Sequence, residues 1–205
     1  MEFEQLSSPG RRAIAIAHLS RVPRYGIQRV HRQQNVAEHV GRCAMLAATI
    51  VAALKHNSPV MTYEDALDWT NLVIFHDLCE AVTGDIVHPV HVEVPELGNL
   101  ETRVNQVLFN GTFFSGNPKS FQVGRLFCKL IDRLELLMYV KEEVYGGNKH
   151  LETLESKAID IVLHSWEAFA KSFNEHYNGS LAATPQGIYN SFPTIVAIMK
   201  GEHCG

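Results

Sequence analysis

The sequence predicts an all-α protein, a single compact helical bundle over residues 1–205. Three observations carry that expectation. Long segments repeat their apolar residues at the three- and four-residue spacing of a buried helix face. Several of them begin at a Ser, Asn or Thr start signal and stop at Gly or just before Asn-Gly. The one valine-rich stretch, DIVHPVHVEVP at Asp85 to Pro95, is interrupted by Pro89 and Pro95 and has no alternating partner segment, so it reads as loop rather than strand.

The elements follow in order. Ser8-Pro9 opens a first helix to about Leu19, because proline's missing N–H is harmless in a first turn. SRVPRYGIQRVHRQQ carries Pro23 and Gly26 without a sustained period and reads as loop. Asn35 then caps a long helix to about Lys55, with Glu38 at the third helical position and His39 just inside the start. Thr62 and Asp65 repeat that signal before a helix expected to run from Tyr63 to Gly84, which places His76, Asp77 and Glu80 near its end. Further helices are expected at Leu97 to Phe109, Lys119 to Tyr145 and His150 to Tyr177, with a short one after Phe192.

Bulk properties narrow the function. A formal charge of -4 excludes a generally basic nucleic-acid-binding surface, although Arg21, Arg24, Arg29 and Arg32 form a local patch able to meet a phosphate. A small-molecule partner is expected, with no nucleic acid polymer and no membrane. Cys43, Cys79, Cys128 and Cys204 show no CxxC spacing, as in a reducing cytosol. MEFEQLSS does not read as a signal peptide. The apolar run Cys43 to Leu54 falls short of a membrane span and reads as a core helix. A cytoplasmic location is the expectation.

Four polar residues then stand out inside apolar helical stretches: His39, the pair His76-Asp77, and Asp132 in CKLIDRLELLMYV. Unsatisfied, such groups are costly to bury. One divalent cation would satisfy all four, since two imidazoles and two carboxylates form a mixed donor set suited to Mn, Co, Fe, Zn or Ni. Glu80, four residues after His76 and three after Asp77, shares their helix face and is a candidate general acid/base. Lys129, three residues before Asp132, would aim an ammonium at a phosphate.

These words in this order, RxxNVAEH at Arg32 to His39, HDxxExxTGD at His76 to Asp85 and KxxD at Lys129 to Asp132, resemble the HD-domain phosphohydrolases. Within that family they are most similar to the small bacterial 5′-deoxynucleotidases, over about Arg24 to Glu143. The resemblance implies an HD-domain bundle whose motif-bearing core spans about 24–143, completed by C-terminal helices at 150–200. It implies that His39, His76, Asp77 and Asp132 bind the metal, that Glu80 assists the water, and that Asp85 sits near a deoxynucleotide substrate. Arg24-Tyr25 aligns with an Arg-Trp pair that helps hold the nucleotide, Tyr25 being a departure. His91 stands where relatives often place a phosphate-contacting lysine. Relatives of this kind are commonly dimers.

The small phage dATP triphosphohydrolases share the pattern, including an isoleucine three residues after the Arg, matched by Ile27. Release of phosphate from a monophosphate is the leading expectation, and release of triphosphate from dATP, in a host cytoplasm if the chain is of phage origin, is the alternative. A helical nucleotide sensor that keeps the metal site without turnover is a third reading. Hydrolysis of cyclic nucleotides or guanosine alarmones follows only from wider family analogy. Taken singly, Asp85 reads equally as a turn cap and Tyr25 and Ile27 equally as packing, while a supporting carboxylate is the second reading of Glu80 and a surface ion pair that of Arg24. His18, His31, His56, His150, His164 and His176 read as ordinary hydrogen-bonding residues.

Overall fold

The structure is a computed structural model that describes residues 9–57, 61–87, 90, 93–109, 117–177, 181 and 193–202. Eight α-helices appear among these: α1 (Pro9–His18), α2 (Val36–Asn57), α3 (Tyr63–Phe75), α4 (Glu80–Thr83), α5 (Glu96–Phe109), α6 (Pro118–Tyr145), α7 (Glu152–Tyr177) and α8 (Pro193–Lys200). The all-α expectation holds: among the described residues the only β-type pairing is an isolated antiparallel bridge between Pro23 and Asn35.

The start signals act as chemistry requires. Asn35 Oδ1 accepts the Glu38 N–H at 2.9 Å and so caps α2. Glu38 turns its own carboxylate to Arg32. Thr62 and Asp65 form a reciprocal box, with Asp65 N–H donating to Thr62 Oγ1 at 3.0 Å and Thr62 N–H to Asp65 Oδ2 at 3.1 Å. Asn117 caps α6 ahead of Pro118, and Gly147, at φ 93, takes the left-handed turn beyond its end. Leu19, expected to end the first helix, lies in a 3-10 turn at Leu19–Arg21, and His150, expected to open the helix to Tyr177, lies in another at Lys149–Leu151.

One expectation fails. The helix predicted from Tyr63 to Gly84 stops at Phe75 and restarts at Glu80. Between them the chain closes by three-residue bonds, Leu78 N–H to the Phe75 carbonyl at 3.2 Å and Glu80 N–H to the Asp77 carbonyl at 3.0 Å. Apolar spacing could not reveal this, because a tight turn keeps Leu78 and Cys79 buried as a helix would.

The chain falls into two compact units, residues 1–41 with 74–114 and residues 42–73 with 115–205. The first has a small core of Ala15, Leu19, Val36, Leu78, Cys79, Val104 and Leu108. The second has the larger core, in which Ile50 and Leu54 of α2 and Trp69 of α3 pack with Phe127, Leu130 and Leu134 of α6 and with Trp166, Phe169 and Phe173 of α7. The Trp69 and Phe127 rings lie 5.4 Å apart. Its polar node is buried: Ser120 donates to Asp65, Trp69 Nε1 donates to the Ser120 carbonyl at 3.1 Å, and Tyr177 Oη lies 3.1 Å from Ser120 Oγ.

Residues Val36–His56 of α2 are long and apolar enough, by length and composition, to cross a membrane, which extends past the shorter run singled out above. Cys43, Leu46, Ala47, Ile50, Val51 and Leu54 are nonetheless packed in the core of the second unit.

Candidate active site

The first unit gathers Arg24, His39, His76, Asp77, Glu80 and Asp85 from among the residues that the sequence singles out. Val36 N–H donates to the Val22 carbonyl at 3.0 Å and Arg24 N–H to the Gln34 carbonyl at 2.9 Å, so the loop before α2 is pinned alongside the helix start. The Gln33 side-chain amide adds a bond to the Arg24 carbonyl. This pairing fixes Arg24, while the Asn35 cap fixes His39 in the first turn of α2.

The break in the chain after Phe75 supplies the other side. Adjacent residues of an α-helix diverge by about 100°, but in the tight turn His76 and Asp77 converge. Asp77 Oδ2 lies 3.2 Å from His76 Nε2 and 3.3 Å from His39 Nε2, and the two imidazole nitrogens are 3.3 Å apart. Arg24 Nη1 donates to the same Asp77 oxygen at 3.0 Å. His39 is fully buried. Burial works against the Asp77 charge, yet His76 and His39 hold its carboxyl well below the usual carboxylate range.

Three donors a similar short distance apart are an arrangement that one metal ion can bridge. An ion about 2.1 Å from two donors leaves them about 3.0 Å apart at a right angle and about 3.4 Å apart at the tetrahedral angle. The observed triangle falls between these values, so the spacing of His39 Nε2, His76 Nε2 and Asp77 Oδ2 suits one divalent cation.

Glu80 opens α4, one turn beyond. Its Oε2 is buried with no hydrogen-bond partner among the described residues. Burial foremost, then the neighbouring Asp77 anion, push its carboxyl up to about 9 against the pull of Arg24. Cys79 is also buried, and burial raises its thiol to about 12, which leaves it an inert core group as expected.

Asp85 accepts the Tyr25 N–H at 3.2 Å, and Tyr25 is the non-glycine residue at positive φ among the described residues, at 60°. The Arg24 guanidinium lies 5.6 Å from the Tyr25 ring centroid. Ile27 is exposed. Lys129 and Asp132 are carried by α6 in the second unit, Lys129 exposed and Asp132 partly so, with Asp132 Oδ2 3.7 Å from Arg133 Nε. His91 lies outside the described residues. Sequence reading missed Asp85's bond to Tyr25, since nothing in a string relates residues 60 positions apart through one backbone angle.

The fold and site define a helical HD phosphohydrolase. The chain shares its fold with the cyanophage S-2L HD phosphohydrolase DatZ, a structure bound to dA and one catalytic Zn2+ ion, at a TM-score of 0.60 and 19% identity over 89% of this chain and 95% of that one. The family model described as 5′-deoxynucleotidase YfbR-like matches residues 13–181, and the chain belongs to that family. It is similar to a 5′-deoxynucleotidase of Enterobacter sp. (strain 638), 28% identical over 183 residues, 77% of this chain and 90% of the relative. A 5′-deoxynucleotidase of Shewanella oneidensis is 39% identical over 77 residues, a match spanning 36% of this chain and 38% of that relative.

Proposed function

We propose that this chain is a divalent-metal-dependent 5′-deoxynucleotidase that cleaves deoxynucleoside monophosphates to nucleoside and phosphate. The observation that carries the reading is the donor triangle of His39, His76 and Asp77 beside the partnerless Glu80 Oε2, in a member of the YfbR-like family. Those three residues would hold the ion, with Asp132 as a fourth ligand by the family resemblance. When bound, such an ion acidifies water and neutralises charge on phosphate oxygens.

The chain's own groups do the rest. Arg24 bonds Asp77 through Nη1, and its planar guanidinium, whose five N–H donors suit phosphate oxygens, is the candidate phosphate contact. The Tyr25 ring beside it supplies a face for the sugar or base, and Ile27 an exposed apolar contact. Lys129 is the further candidate cation, and His91 the further candidate phosphate contact. Water oxygen bonds to phosphorus as the bond from phosphorus to O5′ breaks, and the water's proton ends on the leaving O5′. Glu80 Oε2 is the buried oxygen placed to carry that proton.

Of the two alternatives, triphosphate release from dATP is favoured by Ile27, which matches the phage triphosphohydrolases. Phosphorus NMR of products from dAMP and from dATP, with Co, Mn, Zn, Fe and Ni each supplied, separates them. Orthophosphate from dAMP is expected. Intact triphosphate from dATP with dAMP untouched would reverse the assignment, and no product from any nucleotide would leave a metal-bearing sensor. A substrate of this kind is a soluble cytoplasmic metabolite, and a homodimer or higher homo-oligomer is the assembly expected on size exclusion.

A further inference from the structure

The Arg24-Tyr25 pair is held in a conformation that its own residues do not favour. A tyrosine at φ 60 places its Cβ against the backbone, in a region that single glycines, not bulky residues, ordinarily occupy. Such strain persists only where the surroundings over-determine it. Here they do so from three sides. The bridge from Arg24 N–H to the Gln34 carbonyl, at 2.9 Å, fixes the residue before the turn. Gln28 N–H, donating to the Tyr25 carbonyl at 2.9 Å, fixes the residues after it. The Asp85 carboxylate takes the Tyr25 N–H itself at 3.2 Å.

Asp85 is delivered to that position by the end of α4. The Gly84 N–H donates to the Glu80 carbonyl at 2.9 Å, and Gly84 turns the chain at φ 75, an angle only glycine takes without strain. The Thr83 hydroxyl donates to the Gly84 carbonyl at 3.0 Å and steadies the peptide that leads into Asp85. The Thr-Gly-Asp word thus has a mechanical reading: a stop, a left-handed turn and an acceptor.

We propose that Asp85 is a positioning residue, whose carboxylate locks Tyr25 in its left-handed backbone conformation and thereby aims the Arg24 guanidinium at Asp77. The path is continuous: Asp85 to the Tyr25 N–H, Tyr25 to the Arg24 guanidinium packed 5.6 Å from its ring, and Arg24 Nη1 to Asp77 Oδ2 at 3.0 Å. Asp85 therefore acts on nucleotide binding through Arg24 and Tyr25. Its role deepens the nucleotidase reading and rests on it only where turnover is measured.

Two variants of the full chain test it. Asp85→Ala removes the acceptor, whereas Asp85→Asn keeps a carbonyl oxygen in its place and removes the charge. Loss of a backbone bond to a carboxylate is expected to speed hydrogen exchange at the Tyr25 amide about tenfold, and Asp85→Asn is expected to stay within about threefold of wild type. With metal-loaded protein, Asp85→Ala is expected to raise the KM for dAMP about tenfold, and Asp85→Asn to restore it. Unchanged Tyr25 exchange in Asp85→Ala would overturn the proposal. So would an Asp85→Asn protein as impaired as Asp85→Ala, since the charge itself would then be acting on the substrate. Exchange is read without substrate, so a wild-type protein that hydrolyses no nucleotide would remove the nucleotidase assignment while the exchange result still decides the clamp.

Discussion

One oxygen, Asp77 Oδ2, faces His39, His76 and Arg24 at 3.0 to 3.3 Å. Removing it takes away the carboxylate that two imidazoles and a guanidinium all face. Asp77→Ala is therefore expected to lower dAMP turnover by more than about a hundredfold, beyond the loss typical of a merely supporting partner, with the helical circular-dichroism spectrum kept. Asp65 shows what an acid group does in a purely structural setting. Burial works against its charge, but bonds from Ser120, from the Thr62 N–H and hydroxyl, and from Tyr177 hold its carboxyl below the ordinary range. A carboxyl lowered on folding stabilises fully above its unfolded value of about 3.9 and loses that contribution as pH falls through the folded value. Asp65→Asn is expected to lose about 1–3 kcal/mol at neutral pH, and to show less acid destabilisation below about pH 4 than wild type. Urea melts across pH check both, and equal acid sensitivity of the two proteins would contradict the second. The clustering of His39, His76 and Asp77 was legible as polar residue types set into apolar runs, where burial demands a partner. The partner of Asp85 was not, because it depends on the sign of one backbone angle at Tyr25.

At the scale of elements, the decisive feature is where helices begin and end. The Asn35 cap starts α2 four residues before His39, and Asn35→Ala is expected to cost about 1 kcal/mol while loosening metal binding more than that loss of stability alone would. The capping words at Asn35, Thr62 and Asn117 could be read because a cap is local chemistry within three residues. The interruption from His76 to Cys79 was hidden, since the buried residues Leu78 and Cys79 satisfy a helical pattern and a turn equally well. That interruption is nevertheless what turns His76 and Asp77 toward a common point. A second hidden constraint is Gly124 on α6, where an added Cβ would come within 2.6 Å of Trp69 Cδ1 and 2.9 Å of Leu72 Cδ1. Gly124→Ala is expected to destabilise the second unit by about 1–3 kcal/mol through overpacking. A melting temperature equal to that of wild type would show that Trp69 can move aside.

For the whole molecule, the all-α class was legible because no segment alternates and finds a partner, and because composition supplied enough apolar residues for a large core. The division into two compact units was not. Both α2 and α3 contribute residues to each unit, so no linker or shift of composition marks a boundary in the string. The smaller unit carries Arg24, His39, His76, Asp77 and Glu80 together, and the larger unit, with its aromatic core, carries α6 with Lys129 and Asp132. The central claim is that His39, His76 and Asp77 hold one divalent ion. Titration calorimetry of Co2+ or Zn2+ into metal-free protein measures it most directly. One ion per chain is expected for wild type, with an affinity at least about a hundredfold weaker in His76→Ala; equal affinity in the two proteins, or no binding by wild type, would contradict the assignment.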